Sequence, residues 1–322
     1  MREVSIVIPT LNREEDLKEA LQSILGQTKL PKEVIVVDDS DNNKTKGLMD
    51  QMRGDFSKKK IAIKYRRGGR RKGKSISLAR NIGMAESTGD ILLFIDDDVI
   101  LDKKYISEIL KVYERYPQAL GVQGYIEGNG RFSILSNSVN KIFYCTHVEK
   151  GKCRILPSGE LTFPYSLSEV IECEWLSGTN SSYKKGVLRD FKFDEKLKEY
   201  SLWEDVQLSS SVRRKYVNSL YITPYARLIH KFSSVARRNT KRLVYIRTTY
   251  STYFFYNNMK QTVSNKIIFS WSIFGRFIGA LRKIRVCPKL FVFLIGSYIY
   301  TLRHLNDVIN GNFTFLKHTD KI

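Results

Sequence analysis

DILLFIDDDVI, residues 90–100, is an apolar run that leads directly into three consecutive aspartates. Its apolar part, residues 91–95, predicts a buried strand because a short apolar run between polar residues fits a sheet covered on both faces. Asp96, Asp97 and Asp98 then stand at the carboxyl end of that strand. Three adjacent carboxylates repel one another, so stability alone does not account for them. The stretch therefore indicates a positively charged partner at the end of a buried strand.

Strands and helices alternate through the first third of the chain. Strand-like runs occupy residues 4–8, 33–39, 61–65 and 90–98, and helical patterns occupy residues 13–27, 75–87 and 101–116. This alternation predicts βαβ units and a mostly parallel sheet. In such sheets ligands bind outside the carboxyl ends of the strands. Polar clusters follow three of these strands, so we expect the clusters to converge on one rim.

The composition is that of a globular protein with an unusual excess of basic residues. The 322 residues contain 54 Lys and Arg against 33 Asp and Glu, which gives a net charge of +21. This charge favours an anionic partner and leaves open whether that is nucleic acid, nucleotide phosphate or an acidic membrane surface. The chain has no GxGxxG after its first strand and no GxxxxGK[ST], which argues against a dinucleotide site and a P-loop.

The four cysteines stand at irregular spacings without a CxxC pair. This pattern argues against a zinc site and favours a reducing compartment. The first residues show no basic stretch followed by an apolar run, so no secretory signal is expected. These features predict a cytoplasmic location.

Five segments carry a resemblance to a known family. They are, in chain order, VSIVIPTLNREEDLKEALQSILGQT, EVIVVDDSDN, ARNIGMAESTGDILLFIDDDV, WLSGTNSSYKKGVL and WEDVQL. Their order and spacing resemble those of family 2 glycosyltransferases with the GT-A fold, over roughly residues 4–215. The resemblance implies an α/β protein with a mostly parallel central sheet flanked by helices. It also implies a catalytic domain over residues 1–235, with a nucleotide-sugar-binding half (1–127) and an acceptor-binding half (128–235), followed by a C-terminal helical extension (236–322).

The chemistry that this resemblance implies explains the aspartate run. Negative charge builds up on the departing diphosphate of a sugar nucleotide, and a divalent cation that prefers carboxylate oxygen neutralises it. By resemblance, Asp98 ligates Mg²⁺ or Mn²⁺ and Asp96 faces the ribose, whereas Asp97 has a structural role or supports the residues that contact the metal. His230 follows a later apolar strand, where a histidine completes the metal or diphosphate site in several branches of the family. A lone histidine is more often structural, so both interpretations of His230 stay open.

Further residues resemble those that bind the donor. Asp39 is similar to the residue that reads the edge of the nucleobase, and a carboxylate accepts an N–H, which suits uracil or guanine better than adenine. Pro9, Thr10 and Asn12 resemble the loop that packs against the base. Arg80 resembles a residue that contacts base or phosphate, with pairing to a carboxylate as the alternative. The expected donor is a UDP-, GDP- or dTDP-sugar.

The second half supplies the acceptor side of the resemblance. SGTNSSYKK (177–185) is similar to the acceptor loop, which assigns Gly178 and Asn180 to acceptor binding, with Gly178 permitting close backbone approach. An inverting transfer needs a base that takes the proton of the acceptor hydroxyl. The resemblance gives this role to Asp205, and to Glu204 it gives the binding of the acceptor or of a neighbouring loop; a pair of acids that caps a helix is the alternative. No QxxRW follows, which favours transfer of a single sugar.

KYRRGGRRKGKS, residues 64–75, is a run of basic residues with three glycines and no acid. Like charges and glycines predict a mobile, exposed loop. It is expected to be either a solvated loop or a lid that faces phosphate. Only residues 73–75 stand where the family places nucleotide contacts.

Residues 265–305 are aromatic and apolar with basic residues spread through them. The longest uncharged run, residues 290–302, makes about 20 Å of helix, whereas the hydrocarbon core is about 30 Å thick. Basic residues beside Trp and Phe predict helices in the interface of an anionic membrane, on its cytoplasmic face, with closure of the core as the alternative. The residues expected to take part are Trp271, Phe274, Arg276, Phe277, Arg282, Lys283, Arg285, Lys289 and Phe291.

The sequence thus predicts a metal-dependent glycosyltransferase that moves one sugar, with inversion, to a lipid-linked or glycan acceptor. The non-catalytic alternative is a basic nucleic-acid-binding protein. It explains the charge but not the acids at the strand ends, which argues against nucleic acid as the partner. A sugar nucleotidyltransferase would need a glycine-rich, basic loop near the first strand, where this chain has PTLNREED.

Overall fold

A computed structural model describes residues 2–69, 74–128, 133–198, 201–233 and 240–321. The chain forms two compact units. The first contains Met1–Asn129, Leu167–Glu199 and Glu204–Arg237, and the second contains Gly130–Ser166, Tyr200–Trp203 and Arg238–Ile322. The second unit thus combines the C-terminal helices with Gly130–Ser166, which the sequence analysis assigned to the acceptor-binding half. The functional halves of the catalytic domain remain a prediction.

In the first third of the chain, strands and helices alternate as the sequence indicated, with one further helix, at Lys44–Lys58, that its pattern did not indicate. The strands are β1 (Val4–Thr10), β2 (Glu33–Asp38), β3 (Ala62–Arg67), β4 (Ile91–Phe94), β5 (Val99–Leu101), β6 (Gly121–Glu127), β7 (His147–Lys150), β8 (Thr162–Tyr165), β9 (Ile171–Glu172), β10 (Ser181–Lys184) and β11 (Leu220–His230). The helices are α1 (Glu14–Leu25), α2 (Lys44–Lys58), α3 (Ile76–Glu86), α4 (Tyr105–Arg115), α5 (Ile134–Ile142), α6 (Glu204–Lys215), α7 (Thr240–Asn258), α8 (Val263–Arg282), α9 (Pro288–Arg303) and α10 (Leu305–Asn310). Val187–Arg189 and Thr314–Lys321 form 3-10 helices.

Nine of the described strands form one sheet in the first unit. Their order is β3-β2-β1-β4-β10-β6-β11-β5, with β9 paired to β11. β1 to β4 run parallel, and β6 and β11 are parallel to each other. β10, β5 and β9 are antiparallel to their neighbours. The predicted α/β class and mostly parallel sheet are confirmed.

Continuous apolar runs form the centre of this sheet. Every residue of β1, β2 and β4 is buried, as expected for strands with both faces covered. Thr10 stands opposite Asp38 in the register of β1 and β2. Because parallel strands end at the same edge, the loops after β1, β2 and β4 meet there, as predicted.

One helix begins later than its pattern indicated. Residues 99–101 form β5, and α4 begins at Tyr105 rather than at residue 101. The cause is long-range pairing, because β11 pairs antiparallel with β5 and sets His230 opposite Val99. Local periodicity cannot show a partner so distant in sequence. This pairing brings His230 beside the end of the aspartate run.

The second unit contains α7, α8 and α9. α7 and α9 are joined by a hydrogen bond between the hydroxyls of Thr248 and Ser297 (2.9 Å). Arg276 of α8 is largely buried, pairs with Glu160 and donates a hydrogen bond to Tyr298. Arg276 therefore lies in the interior of this unit, unlike the membrane-facing position expected for it.

The aromatic residues of α8 and α9 divide into two groups. The ring of Phe277 lies 6.1 Å from that of Phe291 and 5.5 Å from that of Tyr298, so these rings pack between the helices. Trp271 and Phe274 are exposed. Within the described ranges, no helix combines the length and apolar character that crossing a bilayer requires.

The basic segment 64–75 differs in part from its prediction. Its first residues, up to Arg67, belong to β3, and Ser75 caps α3 by accepting a hydrogen bond from the N–H of Leu78 (3.4 Å). Residues 70–73, on which the predicted lid depends, lie outside the described residues.

Candidate active site

The three aspartates after β4 have different partners. Asp97 is buried, accepts a hydrogen bond from the Thr10 hydroxyl (2.7 Å) and pairs with the Arg13 guanidinium (3.0 Å). Burial raises the pKa of Asp97 to about 7, against the opposing effects of Arg13 and Thr10. Asp97 holds the loop after β1 to the end of β4, which agrees with the structural role predicted for it.

Asp96, Asp98 and His230 form a cluster in which one ligand atom from each lies within 4.8 Å of the others. Nε2 of His230 is 3.0 Å from Oδ1 of Asp98, and the N–H of Ser233 donates to Oδ2 (3.0 Å). Burial raises the pKa of Asp98, but His230 and Arg13 outweigh it and hold the pKa below its ordinary value. Asp98 is therefore an ionised carboxylate at neutral pH.

This cluster fits a hard divalent cation. Carboxylate oxygens are the ligands that Mg²⁺ and Mn²⁺ prefer, and an imidazole nitrogen also binds first-row metals. The sequence analysis named Asp98 and His230 as metal ligands and Asp96 as a ribose contact. The structure brings the three together, and their individual roles remain predictions.

Arg13 is a residue of this edge that the sequence analysis did not assign. Its guanidinium lies 3.0 Å from Asp97 and 3.5 Å from Asp98. It follows Asn12, whose φ of 53° turns the chain after β1. The sequence did contain a signal for this role. Arg13 belongs to the polar cluster after β1, and that cluster was expected at the same rim as the aspartates. The negative charge of the aspartate run is thus met in part by a cation of the chain itself.

Arg80 of α3 joins three segments of the site. It is 1% exposed. Its Nη1 donates to Glu204 (2.6 Å), and its Nη2 donates to Asp96 (3.0 Å) and to the carbonyl of Gly178 (2.9 Å). The guanidinium also lies over the ring of Phe193, 5.4 Å from its centroid. The structure therefore gives Arg80 the carboxylate partners that the sequence left open, while its nucleotide contact stays a prediction.

Gly178 is where these groups come closest. A Cβ at this position would lie 2.7 Å from both terminal nitrogens of Arg80, so a larger residue would displace the guanidinium. The carbonyl of Gly178 binds Arg80, and its N–H donates to Asp205 (2.7 Å). Gly178 thus allows one peptide segment to hold both side chains, in agreement with the close approach predicted there.

α6 begins with Glu204 and Asp205, at the positive end of the helix dipole. The half-buried Asp205 accepts hydrogen bonds from the N–H groups of Gly178 (2.7 Å) and Val206 (2.8 Å). Burial raises the pKa of Asp205, although these hydrogen bonds and Arg80 oppose the shift. Burial and the charge of Asp205 likewise raise the pKa of Glu204 against the effect of Arg80. A raised pKa makes Asp205 a better proton acceptor than an ordinary carboxylate.

Asp39, after β2, has one unsatisfied carboxylate oxygen. Its Oδ2 accepts a hydrogen bond from the N–H of Ser75 (3.3 Å), whereas its buried Oδ1 has no hydrogen-bond partner among the described residues. A Cβ on Gly68 would lie 1.8 Å from Oδ1, so the backbone closes over it. Burial raises the pKa of Asp39. Hydrogen bonds from the backbone of Ser75 and Gly69 oppose this shift, and a buried acceptor oxygen without a partner is one that a ligand donor, such as the N–H of a nucleobase, can bind.

The three residues predicted from the loop after β1 differ in exposure. Pro9 and Thr10 are buried, and the Thr10 hydroxyl is engaged by Asp97. Asn12 is half-buried; its N–H donates to the Ser40 hydroxyl (2.7 Å), which ties it to the loop after β2. Asn12 and Asp39 therefore belong to neighbouring loops, and their base contacts stay predictions.

Two residues predicted to bind the acceptor are buried. Asn180 has no exposed surface; its side-chain amide donates to the carbonyl of Gly124 (2.8 Å) in β6. Glu204 is 5% exposed and lies against Arg80. The Oδ1 of Asn180 is buried without a hydrogen-bond partner among the described residues, and the acceptor contact predicted for Asn180 stays a prediction.

Comparison with known sequences places these residues in context. The profile of glycosyl transferase family 2 matches residues 5–170, slightly more than half of the chain. A glucosyl-dolichyl phosphate glucuronosyltransferase of Haloferax volcanii is 30% identical over 123 residues, which cover 38% of this chain and 37% of the relative. A GalNAc(5)-diNAcBac-PP-undecaprenol beta-1,3-glucosyltransferase of Campylobacter jejuni is 25% identical over 216 residues, with shares of 66% and 62%. The chain matches less than two thirds of the length of either relative.

Two solved structures resemble the chain over most of its length. The mannosyltransferase PcManGT of Pyrobaculum calidifontis, in complex with GDP-Man and Mn²⁺, has a TM-score of 0.59 at 14% identity, covering 94% of this chain and 87% of that one. S. aureus TarS 1-349, in complex with UDP, has a TM-score of 0.55 at 17% identity, covering 99% and 87%. At these identities the likeness shows the fold alone, which is GT-A.

Proposed function

The chain belongs to glycosyl transferase family 2, and from this premise we propose that it transfers one sugar, with inversion, from a nucleotide-diphosphate sugar to an acceptor at a membrane surface. The arrangement around Arg80 carries the proposal. Arg80 ties Asp96, of the candidate metal cluster, to the start of α6 and to the loop that holds Asp205. A donor site and a proton acceptor thereby share one edge of the sheet. Family membership favours transfer over the sugar nucleotidyltransferase alternative.

Asp96, Asp98 and His230 are the residues that would hold Mg²⁺ or Mn²⁺. When bound, the cation would neutralise the charge of the leaving diphosphate. Asp98 suits this role because its low pKa keeps it ionised, and Ser233 and Arg13 fix its orientation. The Mn²⁺ in the mannosyltransferase complex supports the assignment.

Asp205 is the proposed base. It takes the proton of the acceptor hydroxyl while that oxygen forms a bond to the anomeric carbon, and the bond from this carbon to the diphosphate breaks with its electron pair. Attack opposite to the leaving group inverts the anomeric centre. The raised pKa of Asp205 and its two backbone hydrogen bonds support this role, since they give it basicity and a fixed orientation.

Asp39 is the proposed reader of the nucleobase. Its buried Oδ1, which has no hydrogen-bond partner among the described residues, would accept an N–H from uracil, thymine or guanine, so the proposed donor is a UDP-, dTDP- or GDP-sugar. The UDP and GDP-Man complexes of the structural neighbours support a UDP- or a GDP-sugar among these.

The acceptor is proposed to be lipid-linked. Two of the sequence relatives, those of Haloferax volcanii and Campylobacter jejuni, carry a dolichyl phosphate and an undecaprenol in their names. Residues 265–305 would hold the protein peripherally on the cytoplasmic face of an anionic membrane, where such an acceptor lies.

A thermal-shift series with UDP-, GDP- and dTDP-sugars tests the proposal. We expect one nucleotide to stabilise the protein in Mn²⁺ and much less in chelator; at a hundredfold excess over Kd the gain is about 2.7 kcal/mol. Asp39→Asn, which keeps the shape but adds a donor, should lose this response. NMR of the anomeric proton in the product then reports inversion. A response to none of the sugar nucleotides, or a product of retained configuration, would contradict the proposal.

A further inference from the structure

The connection between α8 and α9 exposes apolar and basic side chains together. We call residues 281–289 the docking tip. Val286 is 89% exposed, and Ile284 and Leu281 are 43% and 42% exposed. The exposed basic residues of the tip are Arg282, Lys283, Arg285 and Lys289. A polar connection would be the ordinary choice for an exposed turn, so the apolar residues need an explanation.

Among the residues that the structure describes, the basic side chains of the tip have no acidic partners. Between Asp205 and Asp307 the sequence contains no Asp or Glu, and within the described part of the chain none of the tip's four cations forms an ion pair. Basic residues elsewhere do: Lys231, for example, lies 2.8 Å from Asp16 and 2.9 Å from Glu19. The tip therefore presents positive charge that no described acidic side chain neutralises and that an external anion can bind.

The backbone of the tip is suited to a medium with little water. The N–H groups of Lys283, Ile284, Val286 and Cys287 donate to carbonyls within the same turn, at 2.8 to 3.1 Å. Because unpaired N–H groups are costly away from water, a turn in which these four N–H groups already have acceptors enters a lipid interface at a lower cost. The apolar side chains can then insert while the basic ones remain at the headgroups.

We infer that the docking tip is the membrane contact of this protein, with Ile284 and Val286 inserted between anionic headgroups that bind the surrounding cations. The inference rests on the proposed function, because it names the surface by which the enzyme reaches a lipid-linked acceptor. It moves the contact away from Arg276, Phe277 and Phe291, which pack inside the second unit. Nucleic acid fits less well, since the tip has no aromatic side chain for stacking, and a second copy would repel this charge.

Vesicle sedimentation of the full chain tests the inference. The probes are vesicles of phosphatidylcholine alone and of equal parts phosphatidylcholine and phosphatidylserine. Wild type should bind the anionic vesicles and be released by high salt. Replacing Arg282 and Lys283 by Gln should weaken binding about 25-fold, about fivefold for each charge. Val286→Asp should weaken it at least as much as one lost charge, because it removes insertion and adds repulsion.

Matched controls separate surface chemistry from position. Val217→Asp changes another exposed valine, 70% exposed in the first unit, and Arg53→Gln removes an arginine 3.4 Å from Asp50. Both should bind vesicles like wild type. Binding of the tip variants at wild-type strength, or of wild type to RNA in preference to vesicles, would overturn the inference. The Mn²⁺-dependent thermal shift with a sugar nucleotide is measured on the same variants, so loss of transfer chemistry and loss of docking are distinguished.

Discussion

Basic residues have opposite roles in two regions of the molecule. At the rim of the sheet they pair with acidic side chains, whereas at the docking tip they are exposed. At the rim, Arg80 is buried and divided between Asp96 and Glu204, and Arg13 lies between Asp97 and Asp98. At the tip, four cations are exposed in a part of the sequence without acids. Burial decides the difference, because a buried charge needs a partner while an exposed one remains available for a ligand. The net charge of +21 therefore includes basic residues that hold the site together through ion pairs and exposed basic residues that can bind an external anion.

Asp98→Ala tests whether Arg13 and Arg80 can stabilise the charge of the leaving diphosphate without a metal ion. We expect turnover to fall about 10³-fold or more, since a bound cation contributes several kcal/mol to the transition state. Mn²⁺-dependent nucleotide binding should also disappear in calorimetry. Asp102→Ala, at an exposed aspartate four residues further on, is the matched control. Full wild-type activity in chelator would show that Arg13 and Arg80 alone neutralise the charge of the leaving diphosphate.

Asp205→Asn tests the base while keeping its shape. Turnover should fall by about 10² to 10⁴, because the amide cannot accept the proton, while the nucleotide Kd should hardly change. In the wild type the base works only when ionised, and its pKa is raised. Turnover should therefore increase with pH through a value above that of an ordinary aspartate, and this limb should vanish in the variant. A variant with an unchanged pH profile would exclude Asp205 from the role.

Arg80→Met and Arg282→Met compare the two regions by the same substitution. Loss of Arg80 leaves Glu204 buried without its partner, so urea unfolding should show a loss of about 3–5 kcal/mol. Loss of the exposed Arg282 should change the free energy of unfolding by about 0.5 kcal/mol or less. Adding Glu204→Leu to Arg80→Met should restore part of the loss, because the buried carboxyl group that lost its hydrogen-bond partner is then gone. Equal losses at both arginines would remove the contrast between the regions.

The parts of this architecture that depend on local pattern could be predicted from sequence. Apolar runs indicated β1, β2 and β4, and the polar clusters after them indicated the rim. α4 was misplaced at its start because β5 forms only by pairing with β11. The same pairing sets His230 beside Asp98, so its ligand position depends on a contact that no periodicity contains.

The burial of individual side chains, and the partners that they have there, could not be predicted from the sequence either. A motif identified Arg80 and Asn180 but not their surroundings, and the structure surrounds Arg80 with carboxylates and Asn180 with backbone. Arg276 was counted with the basic residues of the membrane segment, yet it pairs with Glu160. In each case the partner lies far away in the chain, and only packing makes it a neighbour.

Substitutions of His230 are expected to have the smallest effect of those considered. They test whether this residue binds the metal or only balances the charge of Asp98. As a metal ligand it must offer a neutral nitrogen, whereas as a partner of Asp98 it need only supply a cation or a donor. His230→Lys keeps the cation and loses the ligand, and His230→Asn keeps a neutral donor. If His230 ligates the metal, both variants should bind Mn²⁺ about 10- to 100-fold more weakly, and excess Mn²⁺ should restore turnover. If it only balances charge, His230→Lys should match wild type in Mn²⁺ titrations while His230→Asn does not.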